Sequence, residues 1–254
     1  MNPAARKQEI MKILQQNQTV QVIDLARSLD VSKVTIRTDL DELENRGSLV
    51  RTYGGAVLPE QLSQRRHISN TIHEFAPQKT AIAKKAVSFV KQGQNIIIDN
   101  GSTTVHMAQF LQDIPITVTT SSLLVMQDLM HFENVDLIMA GGILRRPSMG
   151  LMGNISKDFY RQIHADWFFL GASGYTVAQG VFCSNLIEAD TKKSMIQSSD
   201  KICLLVDSSK MEHTSLARVC DWSSIDYLIT DAISSDVQAK IENAGVTVIV
   251  VESD

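Results

Sequence analysis

The stretch from Ser32 to Leu58 reads SKVTIRTDLDELENRGSLVRTYGGAVL, and its spacing decides the fold of the first part of the chain. Ile36, Leu40 and Leu43 repeat at i, i+4 and i+7, which predicts a helix with a narrow buried stripe, and Ser32 stands where an N-cap belongs. The opposite face carries Val34, Arg37, Thr38 and Asp41, with Ser32, Lys33 and Thr35 at its N-terminal tip. After Gly47, SLVRTYGGAVL predicts two short strands around Gly54-Gly55, a dipeptide that permits the positive φ angles of a tight hairpin. Upstream, Ile10, Ile13 and Leu14 predict a short helix from Arg6 to Leu14, and Val22, Leu25, Ala26 and Leu29 predict a second from about Val20 to Leu29. Asp30-Val31-Ser32 is the turn between the second and third. Three helices and a hairpin in this order make a winged helix-turn-helix.

In such a module the third helix enters the major groove with its N-terminal residues at the base edges, and the wing reaches the adjacent backbone or minor groove. The candidate DNA-binding residues are therefore Ser32, Lys33, Thr35, Arg37 and Thr38 on the helix, with Arg51 and Tyr53 on the wing. The bland alternative pairs Arg37 with Asp41 at i, i+4 on a solvated helix and leaves the hairpin to close a small core. Because the module is small, specific binding to double-stranded operator DNA requires two half-sites, hence a homo-oligomer, dimer or tetramer.

Arg6, Ile10 and Leu14, then Ser32, Thr35, Ile36, Arg37, Asp39 and Leu40, then Arg51, Gly54, Gly55 and Ala56 together resemble the N-terminal signature of the DeoR family of bacterial transcriptional regulators. The resemblance implies a repressor of a sugar-catabolic operon. The family often carries a second basic residue after the equivalent of Arg37 and a His in the wing, where this chain has Thr38 and Tyr53.

The polar run from Pro59 to Pro77, with Arg65-Arg66-His67, reads as a linker between a domain at 1–58 and another at 78–254. A helix from Gln78 to Val90 follows, with Ile82, Ala86 and Phe89 facing inward. Beyond Gly93, seven apolar runs (NIIID, PITVT, VDLIMA, ADWFFLG, KICLLV, DYLIT and VTVIVV) alternate with amphipathic helices near Thr104–Leu111, Leu123–Phe132, Leu186–Gln197 and Ser235–Ala244. This pattern predicts an α/β, Rossmann-like parallel sheet covered on both faces. Ligands of such sheets bind beyond the carboxyl ends of the strands. There the chain places Asp99 with Gly101, Ser102, Thr103 and Thr104, then Thr120 with Ser121, then Arg145, then Asp207-Ser208-Ser209-Lys210. Unpaired N–H groups, hydroxyls and a nearby Lys or Arg suit a phosphate, while Asp99 and Glu188 could accept hydrogen bonds from sugar hydroxyls. Taken singly, each Ser/Thr cluster is as well explained as an ordinary helix cap.

The DNGSTT run, the Gly pair with Arg145, ADWFFLGASG, Glu188 with Lys192, and DSSK followed by IDYLITD extend the resemblance into the DeoR sensor domain, which is similar to ribose-5-phosphate isomerase. The resemblance implies a phosphorylated sugar effector, with Gly101 to Thr104, Ser121 and Lys210 holding its phosphate. Where family members commonly carry two threonines this chain has Phe182 and Cys183, and Ser173 stands where an acidic residue is more frequent.

Other classes recede. The 254 residues, 44% hydrophobic and 20% charged, suit two globular domains. No run approaches the ~20 apolar residues that span a bilayer, and the N-terminus lacks an apolar signal stretch, so a cytoplasmic protein without membrane contact is expected. Cys183, Cys203 and Cys220 occur singly and read as reduced thiols. Six scattered histidines support no metal site, and no cofactor or hydrolase motif opens a helix after a strand. The expectation is a regulator and not an enzyme, with no catalytic residues. The competing reading is a sugar-phosphate isomerase with an accessory DNA-binding domain, using Glu188, Asp99 or Asp207 as base. The net charge of −4 divides unevenly, because Met1 to Leu58 holds eight basic and seven acidic residues and the remainder carries −5. The acidity therefore says nothing against a DNA-binding face.

Overall fold

The computed structural model describes residues 2–17, 19–45, 48–52, 54–57 and 67–252. The chain forms two units, Met1–Asn70 and Thr71–Asp254.

The first unit contains helix α1 (Pro3–Asn17), strand β1 (Thr19–Gln21), helices α2 (Val22–Ser28) and α3 (Lys33–Asn45), and strands β2 (Val50–Thr52) and β3 (Gly55–Val57). Ile10, Leu14, Val22, Leu25, Ile36, Leu40 and Leu43 meet Val20, Leu49 and Ala56 in one core. Helix α2 ends as a Schellman turn: Asp30 takes a left-handed φ of 50° and Val31 N–H bonds Ala26 O at 3.1 Å. The Ser32 hydroxyl then accepts Thr35 N–H at 3.1 Å and caps α3. Arg6 clamps α1 to α3 through a buried two-point bond to Asp39, Nε to Oδ2 at 2.5 Å and Nη2 to Oδ1 at 3.1 Å.

The spacing that predicts a helix from Val20 is overridden. Val20 lies in β1, the outer strand of a three-stranded antiparallel sheet ordered β1-β3-β2. This pairing also reassigns the Gly-Gly dipeptide. Thr52 pairs with Gly55, so Gly54, at φ +101°, belongs to the turn while Gly55 is already in the strand. A Cβ on Gly55 would meet Val20 O at 1.9 Å, so Gly55 is needed for the close approach of β1. Tyr53 lies outside the described residues, as does 58–66, which includes the first eight residues of the expected linker.

Helix α4 (Ile68–Thr71) leads into the second unit, where helix α5 spans Ala76–Val87 and starts two residues before the predicted Gln78, with Pro77 in its first turn. All seven predicted apolar runs form strands: β4 (Asn95–Ile98), β5 (Ile116–Thr120), β6 (Val135–Met139), β9 (Ala165–Gly171), β12 (Ser199–Leu205), β14 (Tyr227–Thr230) and β15 (Thr247–Val250). They make one parallel sheet ordered β15-β14-β12-β9-β4-β5-β6. In its central strands consecutive residues are buried (Ile96–Ile98, Phe168–Gly171, Ile202–Leu205), which requires cover on both faces.

Helices α6 (Leu123–Leu129), α7 (Asn154–Tyr160), α8 (Leu186–Gln197) and α9 (Ser235–Asn243) complete the layers. The predicted helix at Thr104–Leu111 is a 3-10 helix, Thr104–Phe110. A hairpin of β7 (Ile143–Arg145) and β8 (Gly150–Met152) and a small antiparallel sheet of β10 (Gly174–Thr176), β11 (Gly180–Cys183) and β13 (Ala217–Cys220) are additions without a clear apolar signature. The chain lays β4, β5 and β6 toward one edge and then returns to add β9, β12, β14 and β15 on the other side of β4. The direction of winding therefore reverses between β4 and β9.

Candidate nucleic-acid interface and charged cleft

The exposed face of α3 presents Lys33, Val34, Arg37, Thr38 and Asp41. Asp41 does not pair with Arg37. It binds the Arg51 guanidinium from β2, which also reaches Arg37 O at 3.4 Å, while Arg51 N–H bonds Glu44 Oε1 at 2.7 Å. Among the described residues, Lys33 and Arg37 make no ion pair, so both cations face outward from the helix. Thr35 and Ser32 share a hydroxyl bond of 2.8 Å within the cap, and the Thr38 hydroxyl bonds back to Val34 O at 3.2 Å. Sequence reasoning passed over Val34 because it is apolar. At 68% exposed, it is a side chain of the kind that packs on a thymine methyl group.

In the second unit the reversal of winding brings the ends of β4 and β9 into contact. A Cβ on Gly101 would lie 3.1 Å from Gly171 Cα, so two glycines make the approach possible. Asp99, buried just beyond β4, accepts Gly171 N–H at 2.8 Å and Lys192 Nζ at 2.7 Å through Oδ2. Lys192, from α8, also donates to Gly171 O at 2.8 Å and stands 3.4 Å from Glu188 Oε1. Burial pushes the Lys192 ammonium pKa down, but Asp99 and Glu188 outweigh it and hold the value above the usual lysine range. Asp99 Oδ1 and Glu188 Oε2 are buried with no hydrogen-bond partner. Both carboxylates, with Asn100, Ser121, Leu151, Met152, Thr191, Lys192 and Met195, line a cleft of about 160 Å³. Part of that space is open to solvent, and two carboxylates against one ammonium favour hydroxyl groups there over a phosphate.

Of the ten expected ligand residues, Asp99, Ser121 and Glu188 line this cleft; Gly101, Ser102, Thr103, Thr104, Thr120, Arg145 and Lys210 do not. Two expected hydroxyls are occupied within the fold. Thr104 Oγ1 lies 2.8 Å from Asp99 O and 2.9 Å from Gly101 O and accepts Gly101 N–H, closing its loop. Thr120 bonds Ile98 O at 2.7 Å and accepts Ser122 N–H at 3.0 Å. Arg145 reaches Ser184 Oγ at 3.3 Å. Lys210 ends a 3-10 turn, Ser208–Lys210, capped by Asp207, and makes no ion pair among the described residues.

Beside it lies a lysine absent from the expected set. Lys79 of α5 is 1% exposed, donates to Thr71 O, and stands 4.0 Å from Asp207 Oδ2. Among the described residues no group of three His, Cys, Asp or Glu side chains is placed to hold a metal ion, and no helix is long and apolar enough to cross a membrane. The three cysteines are unpaired.

Together the fold and its polar centres define a winged helix-turn-helix protein whose second unit is an α/β domain with a charged cleft at the switch of its sheet. Residues 6–62 match the DeoR-like helix-turn-helix domain and residues 74–232 match the DeoR C terminal sensor domain. The chain belongs to the DeoR family and is a DNA-binding transcriptional regulator. It is 35% identical to the HTH-type transcriptional regulator GolR of Listeria innocua over 99% of this chain and 100% of that one. It is 33% identical to the L-fucose operon activator of Haemophilus influenzae (89% and 91% covered) and 27% identical to the HTH-type transcriptional repressor GlcR of Bacillus subtilis (96% and 95%). Among solved structures, ribose 5-phosphate isomerase A of Methanocaldococcus jannaschii aligns with a TM-score of 0.38 and 21% identity over 52% of this chain and 53% of that one.

Proposed function

We propose that the chain is a repressor of a carbohydrate-catabolic operon that binds paired half-sites of double-stranded operator DNA as a dimer or tetramer and is released by a phosphorylated sugar. The reader is residues 1–58 and the sensor 78–254. Ser32, Lys33, Val34, Thr35, Arg37 and Thr38 meet the major groove. Arg51 reaches the backbone by exchanging Asp41 for a phosphate, and Tyr53 is the second DNA-binding residue of the wing sequence. The observation that carries the effector reading is the pair of unpartnered carboxylate oxygens, on Asp99 and Glu188, in the cleft where the sheet reverses. They accept sugar hydroxyls, Ser121 adds a donor, and the phosphate lies outside the small cleft, between the Gly101–Thr104 loop and Lys210.

A fluorescence titration on the DNA upstream of the chain's own gene, repeated with a panel of sugar phosphates, tests this. Specific binding at physiological salt that one sugar phosphate reverses is the expected result; no specific complex, or no sugar phosphate that changes it, overturns the reading. Raised transcription from that promoter on adding the protein would replace repression by activation. Turnover is the second reading, favoured by the free Glu188 Oε2, which could act as a base. Interconversion of aldose and ketose phosphates, abolished by Glu188→Gln, would establish it.

A further inference from the structure

Lys79 is a buried ammonium with donors to spare. It lies three residues before Ile82 and seven before Ala86, on the inward face of α5. Of its three N–H groups, one is donated to Thr71 O. Asp207 Oδ2, at 4.0 Å, is beyond hydrogen-bond reach and has no other partner, although Asp207 is itself buried. Burial lowers the Lys79 pKa, Asp207 offsets part of that, and Lys210 adds to it, so the two lysines feel each other. A desolvated cation next to a second cation, with unspent donors, is stabilised by an anion with several acceptor oxygens.

The same surroundings hold the backbone by which the chain enters the second unit. Next to Thr71 O, Ile72 O receives His106 Nε2 at 3.2 Å, and His106 Nδ1 lies 3.3 Å from the Thr80 hydroxyl. A carbonyl only accepts, so Nε2 carries the proton and Nδ1 takes the Thr80 hydroxyl. His106 is two residues beyond Thr104, in the 3-10 helix that continues the Gly101–Thr104 loop. Between these carbonyls and α5, Phe75 holds a left-handed conformation (φ 55°, ψ 36°) that bulky residues rarely adopt unless their surroundings impose it.

We propose that Lys79 and His106 form a latch on the Thr71–Ile72 backbone, and that a phosphate group held at Lys210 and the Gly101–Thr104 loop draws the Lys79 ammonium off the Thr71 carbonyl and loosens this segment. The latch rests on the phosphate reading above. It adds Lys79 as a binding residue and gives occupancy a route to the segment that joins the two units.

Hydrogen–deuterium exchange and thermal melting of the full chain, with inorganic phosphate as the probe, test it. Phosphate should raise the melting temperature of the wild type and speed amide exchange in residues 71–76. In Lys79→Met, exchange there should already be fast and insensitive to phosphate, and phosphate affinity should fall at least about tenfold, a charge-assisted hydrogen bond being removed. Phosphate that stabilises the wild type without speeding exchange at 71–76 overturns the latch and leaves the phosphate site standing. Equal phosphate affinity in wild type and Lys79→Met removes Lys79 from the site. A wild type that does not respond to phosphate removes the phosphate reading and the latch together. If Lys79→Met does not fold, the wild-type exchange still decides the latch and Lys79→Gln supplies the affinity.

Discussion

A methyl group on residue 55 would lie 1.9 Å from a backbone oxygen that cannot turn aside, because Val20 O belongs to the paired strand β1. Gly55→Ala should therefore force β1 and β3 apart and destabilise the first unit by about 1–3 kcal/mol. Trp167 and Trp222 both lie in the second unit, so an earlier urea transition in circular dichroism, with the tryptophan transition unmoved, is the expected signature. Lys192 is the counterpart in the second unit: without it, Asp99 and Glu188 face each other in a buried cleft. Lys192→Met should cost about 3–5 kcal/mol, the usual penalty for stranding buried charge, read as a lower urea midpoint by tryptophan fluorescence. Because the folded-state pKa of Lys192 is raised, the stabilisation is complete below the ordinary lysine value of about 10.4 and fades as pH climbs beyond it. The wild type should thus lose its advantage over Lys192→Met only at strongly alkaline pH. Both buried lysines left a trace in the sequence, since Lys79 is in register with Ile82 and Ala86, and Lys192 with Glu188 and Met195. What hid the burial of both is that a lysine is presumed solvated until a burying partner is found, and Asp207 and Asp99 lie 128 and 93 positions away in the chain.

At the scale of elements, α3 was legible throughout, because its stripe, its cap and its outward face are all local. Strand β1 was not: Val20 and Val22 satisfy a helical face as well as a strand, and only pairing with β3, some 35 residues on, decides between them. The wing also removes the Arg37–Asp41 pair of the bland account of α3, since Arg51 takes Asp41 and leaves Arg37 facing outward, although the hairpin does help close the small core through Ala56. If Arg37 reads a base, Arg37→Ala should cost about 1–3 kcal/mol of operator binding and relax the preference at one position, whereas Lys33→Ala, at a phosphate, should weaken all sequences alike and reduce the salt slope by about one. Operator titrations at several salt concentrations separate the two; equal losses on operator and random DNA for Arg37→Ala would move it to the backbone.

Across the whole molecule, all seven parallel strands could be read from their apolar runs, but their order could not. Order is set by which distant strand pairs with which, and composition alone does not place β9 beside β4. That adjacency creates the cleft, so the loops were foreseeable while the company of Asp99, Glu188 and Lys192 was only partly so. Occupancy of such a cleft can alter operator binding only through a difference in affinity between two arrangements of the chain. Lys210→Ala should leave operator affinity without effector unchanged and weaken the effector by about 10- to 150-fold, the equivalent of a lost charge-assisted hydrogen bond of ~1.5–3 kcal/mol. If Lys210 holds the effector equally in both arrangements, only the midpoint of release moves. If it holds the effector only in the arrangement that releases DNA, the extent of release falls as well. Linkage adds a check that needs no variant: the factor by which effector weakens operator binding must equal the factor by which operator weakens effector binding. Measured by titration in both directions, equal factors support an equilibrium sensor. Unequal factors would mean that the effector is consumed during the measurement, as the isomerase reading requires.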